Sequence, residues 1–389
     1  MLPSNWKEIA SSFLRIGCMA YGGPAIMGIM QAELQEKRHW VDKERFLEGL
    51  SLVNLLPGAG ATQLGIFLGY ARGGWWGGLL AGLCFVLPAL FIMLALTVGY
   101  AALGATPLMR GALYGLGPVV LGIYAVAVFR LGKNAITGTP QVMIAVAAAL
   151  AMAAGPLGIA TVLALAGGLG ILLFASRRQG MVVLAAIAAM WVLSALMAGT
   201  QTPASAAYFG AGAAPAGLAD IGLFFFKVGA FTFGGGLTMI AFVQEQVVNQ
   251  FHWLTPREFV DGLALGQFTP GPILMVAAYV GFKLAGIAGA LVAAAAIFLP
   301  SFILMLSLLP IFERVRKIAW MKAAMRGIGP AVIGVLAVSL AQLAPHAAPD
   351  LFAASVFVAT LLILLVWRVG AIKLMLGGAL LGTLRDRLA

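Results

Sequence analysis

The chain has 389 residues, of which 62% are hydrophobic and 10% charged, and its formal net charge is +11. So apolar a chain is excluded from folding around a water-soluble core, and it reads as an all-α polytopic membrane protein with membrane lipids as its surroundings. Its basic residues are scattered between apolar runs, which leaves no basic domain to hold a duplex and excludes nucleic acid as a partner.

The amino-terminal stretch MLPSNWKEIASSFLRIG has no basic region followed by an uninterrupted apolar stretch and a cleavage site, so it is expected to remain in the mature protein. The first apolar segment is interrupted at Tyr21-Gly22-Gly23-Pro24, and the second at Pro57-Gly58-Ala59-Gly60. Runs long enough to cross a bilayer, about 20 residues, follow at 77–99, 110–129, 156–175 and 181–199, with a small-residue linker at 200–218. Two more interrupted segments come next, at Phe233-Gly234-Gly235-Gly236 and Pro270-Gly271-Pro272, and then a further run at 287–309. Cys18 and Cys84 have no metal-site spacing and read as small core residues.

The order of these features is a repeat. At an offset of 212 residues, RIGCMAYGGP at 15–24 matches KVGAFTFGGG at 227–236, Glu33 falls on Glu245, and YGLGPVVLG at 114–122 matches RGIGPAVIG at 326–334. With one insertion Phe46, Glu48, Gly49 and Pro57-Gly58 fall on Phe259, Asp261, Gly262 and Pro270-Gly271. A shared period of this length defines architecture. It divides the chain into a first repeat at 1–139, connecting helices and linker at 140–218, a second repeat at 219–344 and a C-terminal helical hairpin at 345–389.

Equivalent loops carry opposite charge bias. The loop at 34–45 has Lys37, Arg38, Lys43 and Arg45 where its partner at 246–257 has only Arg257; later, Arg110 stands alone against Arg314, Arg316, Lys317, Lys322 and Arg326. By the positive-inside rule the two repeats are expected to be inverted, with the helix at 181–199 supplying the odd crossing.

Proline removes an amide donor and glycine weakens a helix, so each break leaves backbone groups unpaired. In lipid such groups are tolerated only against protein or a water-filled cavity. A single break would signify a packing kink; four at corresponding positions point to broken or re-entrant helices meeting at a central cavity. Helix N-termini there would present N–H groups to a small oxyanion. Arg15 and Lys227 precede the first breaks as candidates to neutralise it, with snorkelling to an interface as the alternative. Asn54, Thr62 and Gln63 surround one second break, Gln267 and Thr269 the other, as hydrogen-bond donors. Glu33 and Glu245 are candidates to carry a coupling proton or to pair with a cation at a solvated helix end, and Asp220 reads as a helix cap.

FLRIGCMAYGGP and FFKVGAFTFGGG, then LPGAGATQL and FTPGP, then VLPA and FLPS, resemble the chromate ion transporter family in its two-domain form. The resemblance covers both halves. It implies export of chromate, or of sulfate as a similar oxyanion, across the bacterial inner membrane, and resistance to chromate. It places signature residues at Gly22, Gly23, Pro24, Pro57, Gly58, Gln63, Gly234, Gly235, Pro270, Gly271 and Pro272. Three positions depart from its pattern: Tyr21 for Phe, Gly236 for Pro and Ala59 for Pro.

No nucleotide-binding loop occurs, so secondary active transport is expected, without cofactor or metal and compatible with a homodimer. The rival is a membrane enzyme acting on a lipid-linked phosphate. Against it, His39, His252 and His346 lie in expected loops, and neither HExxH nor GxSxG is present.

Overall fold

The computed structural model describes residues 5–19, 23–103, 106–154, 157–198, 217–233, 236–311, 319–367 and 369–388, and every regular element among them is helical. The first half runs α1 (Trp6–Met19), α2 (Gly23–Met30) continuing into a π-helical turn Gln31–Lys37, α3 (Lys43–Leu55), α4 (Gly60–Leu103), α5 (Pro107–Ala135), α6 (Thr139–Ala154) and α7 (Ile159–Phe174). After α8 (Arg177–Ala198) the series recurs. It runs α9 (Leu218–Ala230), α10 (Leu237–Val243) with a π-helical turn Gln244–Gln250, α11 (Pro256–Phe268), a 3-10 turn Ile273–Met275 leading into α12 (Val276–Leu308), α13 (Ala319–Ala347), α14 (Leu351–Val366) and α15 (Ala371–Leu388).

The helix starts follow local chemistry. Asp42 accepts from the Arg45 amide at 2.6 Å to cap α3. Its counterpart Thr255 caps α11 in a reciprocal box with Glu258, ahead of Pro256 in the first turn. Asp220 accepts from the Gly217 amide at 3.2 Å and caps α9, as expected from the sequence. Helices α1, α3, α9 and α11 have only 13 or 14 residues. At about 1.5 Å per residue each covers roughly 20 Å, short of a hydrocarbon core of about 30 Å.

The backbone repeats as closely as the sequence. His39 and His252 both hold positive φ, 51° and 52°, as do Gly58 and Gly271, 127° and 95°. Within α4 the helix breaks at Gly73 and Gly74, and within α12 at Ala285 and Gly286; the second residue of each pair has φ near +60° with ψ of −156° and −150°. That conformation belongs almost exclusively to glycine. Each long helix is therefore a short limb turning into a spanning one, with Pro88 and Pro300 at matching points beyond the turn.

Stretches Gly60–Leu103, Pro107–Ala135, Ile273–Leu308 and Trp320–Ala347 are long and apolar enough to cross a membrane. The run expected at 156–175 is instead the 16-residue α7, hairpinned with α6. The offset of 212 also carries Thr139–Ala154 onto Leu351–Val366, so the hairpins α6–α7 and α14–α15 correspond. His346 sits in the last turn of α13 and not in a loop.

In each half the first helix packs on the long one, α1 on α4 and α9 on α12, and α4 meets α12 at the centre. The terminal hairpins are exchanged: α14 and α15 pack on α5 of the first half, α6 and α7 on α13 of the second. Small residues permit the close approach. A Cβ added to Gly115 would lie 2.0 Å from the Gly378 carbonyl oxygen, and one on Gly327 2.0 Å from that of Ala166.

Candidate functional site

The helix breaks converge across the boundary between halves. At the break between α3 and α4, Gly58 donates its amide to the Thr232 carbonyl at 2.6 Å, and Ala59 donates to Ser301 Oγ at 2.8 Å. Thr232 lies at the end of α9 and Ser301 in α12, so both partners come from the second half. The pseudo-equivalent contact is present too. Gly271, between α11 and α12, faces Ala89, the counterpart of Ser301, with 2.9 Å between an added Cβ and the alanine's own. Gly236 abuts Ile273 and Leu274 within the second half.

Only glycine serves at position 58, because its φ is +127° and an added Cβ would fall 2.4 Å from Ser301 Oγ. The amides of Gly58 and Ala59 are thus occupied by protein and not free, as the sequence suggests they would be. Of the next amides, those of Gly60, Ala61 and Thr62 precede the first i→i−4 bond of α4, which Gln63 makes to the Ala59 carbonyl at 2.8 Å. Beside them Thr62 and Gln63 are fully buried. Gln63 Nε2 donates to the Pro57 carbonyl at 2.7 Å. Its Oε1, and Thr62 Oγ1, are buried without a hydrogen-bond partner.

A buried polar atom left unpaired costs about 1–3 kcal/mol, and these two stand together in one turn at the break. The hydroxyl can donate to an anion oxygen. The amide oxygen can accept from water or from the O–H of a singly protonated oxyanion. The corresponding turn of the second half, Ile273–Met275, is apolar, so the two halves line the centre unequally.

The remaining expected residues fall as follows. Tyr21, Gly22, Gly234 and Gly235 lie outside the described residues, as do Arg314, Arg316, Lys317 and most of the linker. Gly23 and Pro24 open α2, and Gly236 precedes α10 with φ +97°. Pro270, Gly271 and Pro272 are buried, Phe233 and Gln267 half-buried, and Asn54 exposed. Thr269 Oγ1 donates back to the Leu265 carbonyl at 3.0 Å and lies 3.3 Å from Met93 Sδ of the first half. Arg15 and Lys227 are exposed, on faces of α1 and α9 opposite the buried Gly17 and Gly229.

Glu33 pairs with Arg38 at 2.9 Å and Lys37 at 3.4 Å, and the Arg38 hydrogen bond holds its carboxyl below the usual range. Glu245 accepts from Asn249 at 2.9 Å and Gln250 at 3.3 Å. Cys84 is buried and Cys18 exposed.

Three contributors were not legible as such. Ser301 and Thr232 receive the break amides; the only hint of Ser301 was that FLPS carries a hydroxyl where VLPA has a methyl. Asp261, only 7% exposed, is the one buried carboxylate among the described residues and accepts from Tyr100 Oη of the first half at 3.0 Å. Its match to Glu48 registered it as a landmark of the repeat without a role.

Comparison with known proteins adds the lineage. The family model described as "Chromate transporter" matches residues 7–218 and again 219–383. The chromate transport protein of Cupriavidus metallidurans is 31% identical over 380 residues, 96% of this chain and 92% of that protein. The probable chromate transport protein of Synechococcus elongatus is 32% identical over 353 residues, 89% and 86% of the two chains. The chromate transport protein of Pseudomonas aeruginosa is 31% identical over 375 residues, 94% and 88%. No solved structure matches the chain.

Proposed function

The chain belongs to the chromate transporter family, and from that premise we propose that it is a secondary active transporter exporting chromate, or a sulfate-like oxyanion, across the bacterial inner membrane and so conferring resistance. The observation that carries the reading is the pair of unpaired buried atoms, Thr62 Oγ1 and Gln63 Oε1, in the turn where the breaks of the two halves meet. A tetrahedral oxyanion offers acceptors to the Thr62 hydroxyl and first-turn amides. When singly protonated it also offers a donor to Gln63.

Few fixed charges at the centre suit a carrier, because a deeply ion-paired anion would not leave. Outward movement of a dianion is favoured by a negative interior, by about 2.3 kcal/mol per charge per 100 mV. Glu33 and Glu245 are proposed coupling carboxylates by position. Asp261 joins them because it is buried and tied to the opposite half through Tyr100.

The test is chromate flux into or out of vesicles holding the purified protein, under imposed pH and voltage gradients. Uptake matching the sign of the gradient is expected; no flux under any gradient overturns the reading. Arg15→Ala and Lys227→Ala separate pathway charges from interfacial ones, since only the former change chromate affinity while the protein stays folded.

A further inference from the structure

The repeat builds two cavities at corresponding places, and their linings have diverged. One lies where α5, α11 and the α13–α14 junction meet and has a volume of about 10 Å³. The other lies between the start of α13 and the α5–α6 junction, with a volume of about 540 Å³. Shifted by 212 residues, Tyr114, His346 and Pro349 of the small cavity become Arg326, Asn134 and Thr137 of the large one.

The small cavity leaves little free space, and acids stand beside its bases. Arg385 stacks on Tyr114, 4.4 Å from the ring centroid, and pairs with Asp350 at 2.6 Å, while Asp261 enters from α11. In the large cavity those acids are gone. Gly138 stands at the Asp350 position, the counterpart of Asp261 is Glu48, which does not line this cavity, and the Phe174 ring lies 5.9 Å from the Arg326 guanidinium. Lys322 and Arg326, one turn apart on α13, have no carboxylate partner among the described residues. The wall adds Asn134, Thr137 and Gln141, the last only 8% exposed.

Ligand pockets typically enclose about 300–1,000 Å³, so the space suits a ligand and exceeds a packing defect. Among the described residues its polar lining consists of donors and amides beside two cations, and no carboxylate lines it. A planar guanidinium and an ammonium on the wall of one cavity, both from exposed residues, offer donors suited to the oxygens of a tetrahedral dianion. We propose that this cavity is a second anion site, distinct from the helix breaks, which binds a phosphate- or sulfate-type group either free or as a lipid headgroup. The inference does not rest on which ion passes the central breaks.

Equilibrium dialysis of labelled sulfate against the full-length protein in neutral detergent measures the site directly. Wild type is expected to bind one more equivalent than K322Q/R326Q, or to bind it at least about tenfold more tightly. Gly138→Asp, which restores the acid of the sister cavity without removing either cation, should cause the same loss, and Lys322→Arg should retain binding. Equal binding by wild type, the double variant and Gly138→Asp overturns the proposal. Thr62→Val leaves this equivalent intact, so failure at the central breaks is told apart from failure here. Repeating the dialysis in discs of phosphatidylcholine alone or doped with phosphatidylglycerol identifies the source: competition by the anionic lipid assigns a headgroup, and its absence a free oxyanion.

Discussion

Thr62 and Gln63 carry their polar atoms at a cost to the fold. Thr62→Val removes a buried unpaired atom and should raise the melting temperature slightly, whereas Gln63→Leu also takes the Nε2 donor from the Pro57 carbonyl and is expected to lower it. Chromate flux should nonetheless fall about tenfold or more in each. A variant with reduced stability and undiminished flux would mean that the atoms serve packing alone. Ser301→Ala works in the opposite direction: it strands the Ala59 amide and is expected to cost about 1–3 kcal/mol, read from thermal melts. The break glycines and Gln63 were legible in the sequence because conformation and motif reside in the chain itself. Ser301 was not, because its role is a contact across 242 residues of chain. For Arg15 and Lys227 the sequence leaves a pathway role and snorkelling both open, and the structure adds that both are exposed on faces opposite Gly17 and Gly229.

At the level of elements, the two kinks are the sharpest signature of the repeat. Gly74 and Gly286 share a conformation that other residues rarely adopt, and an added Cβ meets nothing within 4 Å at either. Alanine there pays only the backbone penalty, about 1–3 kcal/mol, and G74A and G286A should destabilise almost equally in thermal melts. Unequal losses would show that the kinks are not equivalent. In the sequence these turns fall just before the apolar runs at 77–99 and 287–309, with nothing in the pattern to join the short limbs ahead of them to those runs. The sequence also hid the kinship of α6 with α14, because Thr139–Ala154 and Leu351–Val366 share apolar composition but few identical residues. The α14–α15 hairpin adds a pH dependence. Asp350 accepts from the Ala353 amide, which holds its carboxyl below the ordinary value, and it also pairs with Arg385. A depressed carboxylate stabilises the fold above its unfolded pKa, about 3.9, and that contribution is lost as pH falls through the lower folded value. Protection factors from hydrogen exchange at the start of α14 should therefore fall in acid, and Asp350→Asn should show the lower protection already at neutral pH.

For the whole molecule, the contacts between halves are reciprocal: Gly58 faces Ser301 as Gly271 faces Ala89, and each half lends its last hairpin to a helix of the other, α14–α15 to α5 and α6–α7 to α13. Such exchange is a pseudo-two-fold arrangement, whose axis in a bilayer lies either along the membrane normal or within its plane. The charge asymmetry of equivalent loops favours the second, and α8 supplies a mechanism. If each pair of short limbs enters and leaves on one side, the remaining helices of a half come in pairs, α4 with α5 and α6 with α7. The chain then returns to its starting side, and the unpaired α8 turns the next half over. Reporter fusions in the loops at 34–45 and 246–257 should accordingly report opposite sides of the membrane; the same side for both would place the axis along the normal. Deleting Arg177–Ala198 makes the stronger demand. Without that crossing both halves insert in one orientation, the hairpins α6–α7 and α14–α15 cannot both reach their partners, and the protein should fail to accumulate. Replacing α8 with an unrelated apolar helix of equal length should restore it if α8 serves only to change sides, since its packing is mainly on α7.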